Sequence, residues 1–223
     1  MSGCCCPSQS FEGTDRFFSR QSRRFLKRFR KRGLAKEQRY LAEGFTRLPL
    51  GGKSILEIGC GVGGLHVTLL KEGAGLATGV DISEGMLEGA KQLSREMGFE
   101  NRTTYLLGDF VQMDGKIADA DITILDKVVC CYEDIDTLVQ KSLEKTRMTY
   151  ALSFPRNTWL IGMFFNGLIF LSKILKWKFR PYWHDWDEML QRIQSAGFQR
   201  AYEKKTLVWS VLIHQRPQIP STQ

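Results

Sequence analysis

A glycine-rich turn, followed by acidic residues at regular spacing, is the part of this 223-residue sequence that could do chemistry. Gly59, Gly61 and Gly64 fit the pattern G-x-G-x-x-G and directly follow the apolar segment 54–58. Glycines at these places let the backbone approach a ligand closely, and the helix N-terminus behind them favours negative charge. Taken alone, the pattern suits a dinucleotide site as well as several others, and a turn without a ligand is the simpler alternative.

Four carboxylates narrow the choice of ligand. They are Glu57, just before the glycines, and the residues that end the next three predicted strands, Asp81, Asp109 and Asp126. Asp81 could hold both ribose hydroxyls of a nucleoside, and Asp109 could accept a hydrogen bond from an adenine amino group. So many carboxylates would repel a pyrophosphate, whereas a ligand with a sulfonium cation and no phosphate is compatible with them. The pattern therefore favours S-adenosylmethionine over NAD.

Strands and helices alternate in the part of the chain that must position these residues. Strands are predicted at 54–58, 76–80, 103–107, 121–125 and 149–154. Helices are predicted at 65–72, 83–97, 135–146 and 187–196, and 199–204 with 207–214 should form a closing antiparallel pair. Such alternation indicates a mostly parallel sheet, whose ligands bind outside the carboxyl ends of the strands.

The segments that contain the glycines and acids resemble the motifs of class I S-adenosylmethionine-dependent methyltransferases. Residues 56–63 resemble the family's E-x-G-x-G-x-G motif, 79–83 its second motif, 108–110 its adenine-contacting motif and 121–126 its fourth. The resemblance implies a Rossmann-like α/β fold, with a seven-stranded, mostly parallel sheet, an antiparallel last strand and three layers, αβα. It also implies S-adenosyl-L-methionine as the cofactor. The implied cofactor-binding residues are Glu57, Gly59, Gly61, Gly63, Asp81, Ile82, Asp109, Phe110 and Asp126.

Positive charge is concentrated in one part of the chain. Residues 1–40 contain eleven basic and three acidic residues, a net charge of +8, whereas the other 183 residues are balanced. We therefore divide the chain into a basic N-terminal helical arm, residues 1–45, and an S-adenosylmethionine-binding methyltransferase domain, residues 46–223. Apolar residues recur near helical spacing in the arm, and Gly33 is expected to divide it into two helices.

The arm allows two interpretations. Its Phe and Leu side chains could cap the cofactor pocket while the basic face stays in solvent. Alternatively, residues 16–39 could attach the protein to an anionic membrane surface. Nucleic acid is not favoured as a partner, because no single-strand platform or RNA-binding module is visible in the sequence.

An apolar segment lies in an insertion at about residues 156–186, on the acceptor side of the predicted domain. Residues 159–171 are apolar nearly all round, and the chain then turns basic. This segment could be a buried helix or a lid over the pocket. It could also be an interfacial helix that places residues 159–180 on an anionic membrane, since it is too short for a full span. A lid would predict a large hydrophobic acceptor.

The sequence after the fourth predicted strand bears on the methyl acceptor. Residues 152–158, 182–184 and 187–196 resemble magnesium-protoporphyrin O-methyltransferases, which esterify a propionate carboxylate, although Cys131 stands where those enzymes have histidine. Candidate catalytic residues are Tyr132, His184 and Arg156, and other polar groups expected near the mouth are Lys127, Cys131 and Tyr40. Arg156 is expected to pair with an acceptor carboxylate.

Three functions from different classes remain open. The first is methyl transfer from S-adenosylmethionine (EC 2.1.1.-) to a hydrophobic small-molecule acceptor, with a tetrapyrrole carboxylate as one candidate. The second is a non-catalytic module of the same fold that binds a membrane surface or a protein partner. The third is an NAD-dependent oxidoreductase, which does not need the acid at Asp109. The oligomeric state is left open.

The six cysteines indicate a reducing compartment. Cys4, Cys5 and Cys6 are adjacent, as are Cys130 and Cys131, which is poor spacing for disulfides, and no apolar secretory segment precedes them. We therefore expect a cytoplasmic protein, with peripheral attachment at the inner face of the membrane as an option. No metal site is predicted, because three successive cysteines do not easily reach one ion.

Overall fold

A seven-stranded sheet forms the centre of the protein in a computed structural model, which describes residues 15–113, 115–174 and 181–217. The spatial order of the strands is β3-β2-β1-β4-β5-β7-β6. The strands are β1 Ser54–Ile58, β2 Leu76–Asp81, β3 Thr103–Leu107, β4 Ala120–Asp126, β5 Thr146–Pro155, β6 Gln199–Lys205 and β7 Trp209–Gln215. Neighbours from β3 to β5 are parallel, and β7 runs antiparallel to both β5 and β6. The predicted fold class and closing pair are confirmed, with strand ends that differ by a few residues.

Helices cover both faces of this sheet. They are α1 Ser22–Arg32, α2 Lys36–Phe45, α3 Gly64–Lys71, α4 Glu84–Glu96, α5 Ile135–Glu144, α6 Trp159–Ile174 and α7 Trp186–Ser195. Successive residues of a strand point to opposite faces, and Ile55 and Leu56 accordingly belong to different buried clusters. One cluster includes α5 and α7, and the other includes α2 and α3. The three-layer αβα arrangement follows from these two cores.

The strand order reverses at β1: β2 and β3 lie on one side of it, and β4 and β5 lie on the other. Strand β1 pairs with β2 on one side and with β4 on the other, so that Glu57 lies opposite both Gly79 and Ile124. The loops after β1 and β4 therefore leave the sheet in opposite directions and open a crevice at the carboxyl ends of the strands, which is where ligands bind in such folds.

Two helices of the arm, α1 and α2, are separated at Gly33 as predicted, and the described residues 15–19 before them are also helical. Leu26 of α1 is buried against Val62 and α4, whereas Leu41 and Phe45 of α2 are fully buried in the core shared with α3 and β7. The arm is therefore packed onto the sheet domain over most of its described length. Residues 1–14, which include the three adjacent cysteines, lie outside the described residues.

Helix α6 differs from the buried helix or lid that its composition predicts. It is helical over 16 residues, but its large apolar side chains are mostly exposed, including Trp159 and Phe164. Phe165 is an exception, since its ring packs 5.5 Å from that of Trp183. Composition alone does not reveal how much of a helix its neighbours cover, which is why the buried-helix alternative was wrong here. Residues 175–180 of the predicted membrane-contact range lie outside the described residues.

Candidate active site

A cavity of about 320 Å³ lies at the carboxyl ends of β1, β2 and β4. This volume is at the lower end of the range of roughly 300–1,000 Å³ found for small-molecule sites. Its lining includes eight of the nine predicted cofactor-binding residues: Glu57, Gly59, Gly61, Asp81, Ile82, Asp109, Phe110 and Asp126. Gly63 does not line the cavity, because it lies against His66 and Ala90. The strand-end pattern in the sequence thus identified one real concave site.

The turn after β1 leaves free space beside its backbone at Gly61. Gly61 has a φ of 54°, a left-handed conformation that L side chains rarely adopt. A Cβ atom placed on Gly61 would meet no protein atom within 4 Å. Because Gly61 also lines the cavity, the space beside its backbone is available to a ligand.

Asp81 ends β2 and bridges the two loops that border the cavity. Its Oδ2 accepts a hydrogen bond from the Gly61 amide at 2.8 Å, and its Oδ1 accepts one from the Ser83 amide at 2.9 Å. Burial raises the pKa of Asp81 to about 6, although the two amide donors act in the opposite direction. Each carboxylate oxygen retains a lone pair, so that Asp81 can still accept hydrogen bonds from ligand hydroxyls.

Asp109, which follows β3, is held by Tyr132. The Tyr132 hydroxyl donates to Oδ1 and Oδ2 of Asp109, both at 3.0 Å, and the Val111 amide donates to Oδ1. Burial and the charge of Asp109 raise the pKa of Tyr132, so that its hydroxyl stays protonated. Tyr132 therefore orients an acid of the cavity and is unsuited to act as a general base.

Glu57 and His66 form a buried polar chain beneath the glycine turn. Glu57 Oε2 lies 2.5 Å from His66 Nδ1, and His66 Nε2 lies 2.9 Å from the Tyr105 hydroxyl. Burial raises the pKa of Glu57, an effect that His66 opposes. Since Gly63 contacts the same imidazole, these hydrogen-bonded side chains support the turn that borders the cavity.

Asp126 and Lys127 occupy the end of β4. Asp126 Oδ1 accepts a hydrogen bond from Ser153 Oγ at 2.5 Å, and burial raises the pKa of Asp126. Lys127 has a φ of 61°, which is unusual for a residue with a side chain. In this conformation the ammonium group of Lys127 lies 2.9 Å from Glu37 Oε2 of helix α2. The strand end is thus tied directly to the arm.

Aromatic side chains from the arm form the wall of the cavity that faces away from the sheet. Phe18, Phe25 and Phe29 all line it, together with Arg28. The ring of Phe29 lies so close to Gly64 that a Cβ atom there would be 2.6 Å from Phe29 Cδ2. The interpretation in which the arm caps the pocket is therefore correct for these residues, and their helical spacing was the sequence signal.

Comparisons with known proteins agree with this geometry. The family described as "Methyltransferase domain" matches residues 55–147. Magnesium-protoporphyrin O-methyltransferase from Synechocystis sp. is 34% identical over 97 residues, which cover 43% of this chain and 36% of that protein. Sterol 24-C-methyltransferase from Yarrowia lipolytica is 32% identical over 80 residues, covering 36% and 20%. The chain thus covers about a third or less of the length of these curated relatives.

Among solved structures, magnesium protoporphyrin IX methyltransferase from Synechocystis PCC 6803 with bound SAH has a TM-score of 0.70 at 22% identity. The match covers 93% of this chain and 100% of that chain. This protein has the class I methyltransferase fold and resembles magnesium-protoporphyrin O-methyltransferase.

Two candidate catalytic residues lie outside the cavity of this methyltransferase fold. His184 Nε2 lies 2.9 Å from the Tyr132 carbonyl, and its ring stacks on Tyr182. Arg156 donates to the Thr206 carbonyl at 3.3 Å. Neither residue is part of the lining. Arg156 directly follows β5, whereas His184 precedes α7 and contacts the backbone of Tyr132, which does line the cavity.

Proposed function

We propose that this protein transfers a methyl group from S-adenosylmethionine to a hydrophobic small molecule, with a tetrapyrrole carboxylate as the leading candidate acceptor. The observation that carries the proposal is a single cavity that combines a glycine turn, strand-end carboxylates and an aromatic wall. The comparisons support a methyltransferase and S-adenosyl-L-methionine as its cofactor. The similarity to a magnesium-protoporphyrin O-methyltransferase supports a tetrapyrrole in particular.

The residues of the cavity suit this cofactor. The open space beside Gly61 would receive the part of the cofactor that must approach the backbone, and Asp81 would accept from the ribose hydroxyls. Asp109, oriented by Tyr132, would accept from the adenine amino group. When bound, S-adenosylmethionine supplies an electrophilic methyl group on a sulfonium, a cation that the surrounding carboxylates favour.

The absence of an imidazole from the cavity favours a carboxylate as the acceptor. All three histidines of the chain, His66, His184 and His214, lie within the described residues, and none lines the cavity. The raised pKa of Tyr132 removes the phenol as a base. A carboxylate is already an anion at neutral pH and needs no general base, so the protein has only to hold it in line with the methyl group.

Arg28 is the cation that we assign to this acceptor carboxylate, in place of Arg156. Arg28 lines the cavity and forms no ion pair within the part of the chain that the structure describes, whereas Lys127 is already paired with Glu37. The cavity is small for a cofactor and a macrocycle together. The reacting carboxylate would therefore enter beside Arg28, while the rest of the acceptor lies against Phe25, which is 40% exposed.

A turnover assay tests this proposal. Purified protein with S-adenosylmethionine is given magnesium-protoporphyrin, a fatty acid or a small polar amine, and release of the demethylated cofactor is measured. We expect turnover with the hydrophobic carboxylates alone. In Arg28→Gln the acceptor KM should rise about tenfold, as expected for the loss of a charge-assisted hydrogen bond. Arg24→Gln, one turn earlier on the same helix and outside the lining, is the matched control.

Fast turnover of the small amine, or equal kinetics of the two arginine variants, would contradict this assignment. The exposed face of α6 favours a second candidate, a non-catalytic module that binds a membrane. Cofactor binding without any acceptor-dependent turnover, across a broad set of hydrophobic carboxylates, would favour that candidate.

A further inference from the structure

Helix α6 presents its apolar side to solvent. Six large apolar side chains of this helix are between 43% and 71% exposed: Trp159, Leu160, Met163, Phe164, Phe170 and Leu171. At 100° per residue they fall within one arc of about 140° around the helix axis. A contiguous exposed apolar surface of this kind on a soluble domain marks an interaction site.

The opposite side of α6 is the one that packs on the protein. Phe165 is buried against Trp183. Gly162 faces the same ring, since a Cβ atom placed on Gly162 would lie 3.4 Å from Trp183 Cζ2. Ser172 is buried on the same side, and its hydroxyl donates to the Ile169 carbonyl. The helix is thus anchored by the face opposite to the exposed one.

The length of α6 suits a position in the plane of a membrane surface. Its 16 residues correspond to about 24 Å, which is shorter than a hydrocarbon core of roughly 30 Å. Within the described ranges, no helix has the length and hydropathy that crossing a membrane requires. Trp159 begins the helix and is 71% exposed, and tryptophan is enriched at the level of lipid headgroups.

The charge of the surrounding sequence complements an anionic surface. Residues 156–184 contain no acidic residue. They contain five basic residues, Arg156, Lys173, Lys176, Lys178 and Arg180. Basic residues beside a membrane-facing apolar segment attract anionic lipids. In a self-associated dimer, by contrast, these like charges would be brought together, which disfavours a second copy as the occupant.

We propose that the exposed face of α6 docks this protein in the plane of an anionic lipid surface. The surface is formed by the side chains of Trp159, Leu160, Met163, Phe164, Phe170 and Leu171, which enter the boundary between headgroups and acyl chains. This docking is independent of methyl transfer and does not require a cofactor.

Sedimentation with vesicles tests the proposal. The full chain is mixed with vesicles of equimolar phosphatidylcholine and phosphatidylglycerol, or with vesicles of phosphatidylcholine alone. We expect binding to the mixed vesicles and at least tenfold weaker binding to the neutral ones. Leu160→Ser and Phe164→Ser should each lower the partition coefficient by about tenfold, because each removes an apolar side chain from the acyl boundary.

Leu76→Ser is the matched control, since Leu76 and Leu160 are both 59% exposed. Leu76 is the first residue of β2, whereas α6 follows the carboxyl end of β5, so the two lie at opposite ends of the strands. The control should bind vesicles like the unchanged protein. Binding that survives both α6 substitutions but is lost in Arg23→Glu/Arg24→Glu would assign docking to the arm and overturn the proposal. A concentration-dependent dimer broken by Phe164→Ser, without vesicle binding, would also overturn it.

Discussion

Glu37 of the arm and Lys127 of the site are joined by an ion pair across 90 positions of sequence, with 2.9 Å between Oε2 and Nζ. Lys127 directly follows the strand-end acid Asp126, and its ammonium group also lies 5.1 Å from the centre of the Trp209 ring. Partial burial alone would raise the pKa of Glu37, but the hydrogen bond and charge of Lys127 hold it below its usual value. The pair therefore couples the position of the arm to the end of β4.

We expect Glu37→Gln to loosen the arm. Glu37 and Lys127 have side-chain exposures of 13% and 32%, and a pair this exposed contributes about 1 kcal/mol. Trypsin should then cleave α1 and α2 about fivefold faster. Glu43→Gln is the control, because Glu43 lies on the same helix but its pairs, with Arg47 and at 3.8 Å with Lys204 of β6, are much more exposed. Equal cleavage of the two variants would show that the pair does not hold the arm.

The pKa of Asp81, about 6, predicts that cofactor affinity depends on pH. Hydrogen bonds from ribose hydroxyls favour the ionised carboxylate, so S-adenosylmethionine should bind about tenfold more weakly at pH 5 than at pH 7. In Asp81→Asn, binding should be weaker by roughly 1.5–3 kcal/mol and should not vary with pH in this range. Isothermal calorimetry across the pH range measures both effects.

Unfolding does not account for this loss of affinity. The folded state binds the Asp81 proton more tightly than the unfolded chain, in which the pKa is near 3.8. This carboxyl therefore favours folding more as the pH falls from 6 toward 4, and the stability that it adds is lost as the pH rises through 6. An affinity in Asp81→Asn that still falls tenfold between pH 7 and 5 would remove Asp81 from the site.

Gly61 and Gly52 provide a matched pair for testing the glycine turn. Both have left-handed φ values, 54° and 70°, and a Cβ atom on either would meet no protein atom within 4 Å. Gly61→Ala and Gly52→Ala should therefore cost similar stability, about 1–2 kcal/mol each. Only Gly61→Ala should lower cofactor affinity, by tenfold or more, because only Gly61 lines the cavity. Equal affinities, measured alongside thermal unfolding, would place the cofactor elsewhere.

Tyr132→Phe separates an orienting role from a catalytic one. The substitution removes the two hydrogen bonds to Asp109 and keeps the ring in place. We expect cofactor affinity to fall about fivefold, equivalent to roughly 1 kcal/mol, with kcat changed by less than twofold. A drop in kcat of a hundredfold or more at saturating cofactor would instead identify Tyr132 as a general base.

Local sequence patterns were sufficient to predict most of the fold and the sheet side of the cavity. The strands β1 to β3 match their predicted bounds closely because each is a short apolar run that ends in glycine or an acid. Asp81 and Asp109 were located for the same reason, since parallel strands bring their carboxyl ends to one edge.

Features that depend on distant packing were not predictable in this way. Arg28 borders the cavity because its neighbour Phe29 packs against Gly64 and so brings α1 over the glycine turn. Arg156 follows β5, but its backbone bonds to Val208 and its side chain to Thr206, while a backbone bond from Tyr182 to Cys130 places His184 behind Tyr132 and outside the lining. The exposed face of α6 likewise depends on which side Trp183 covers. The sequence of a single helix or strand does not show which distant elements will pack against it.

The span between Glu37 and Lys127 has a consequence for how the protein is made. Lys127, the partner of Glu37 at the end of β4, is synthesised 90 residues after it. At about 5–20 residues per second, the arm waits roughly 5–20 s before that partner exists. During this interval the arm can reach its contacts at Val62, Gly64 and Glu96, but not the end of β4. The contact between the arm and the end of β4 therefore depends on a part of the chain that is translated well after the arm itself.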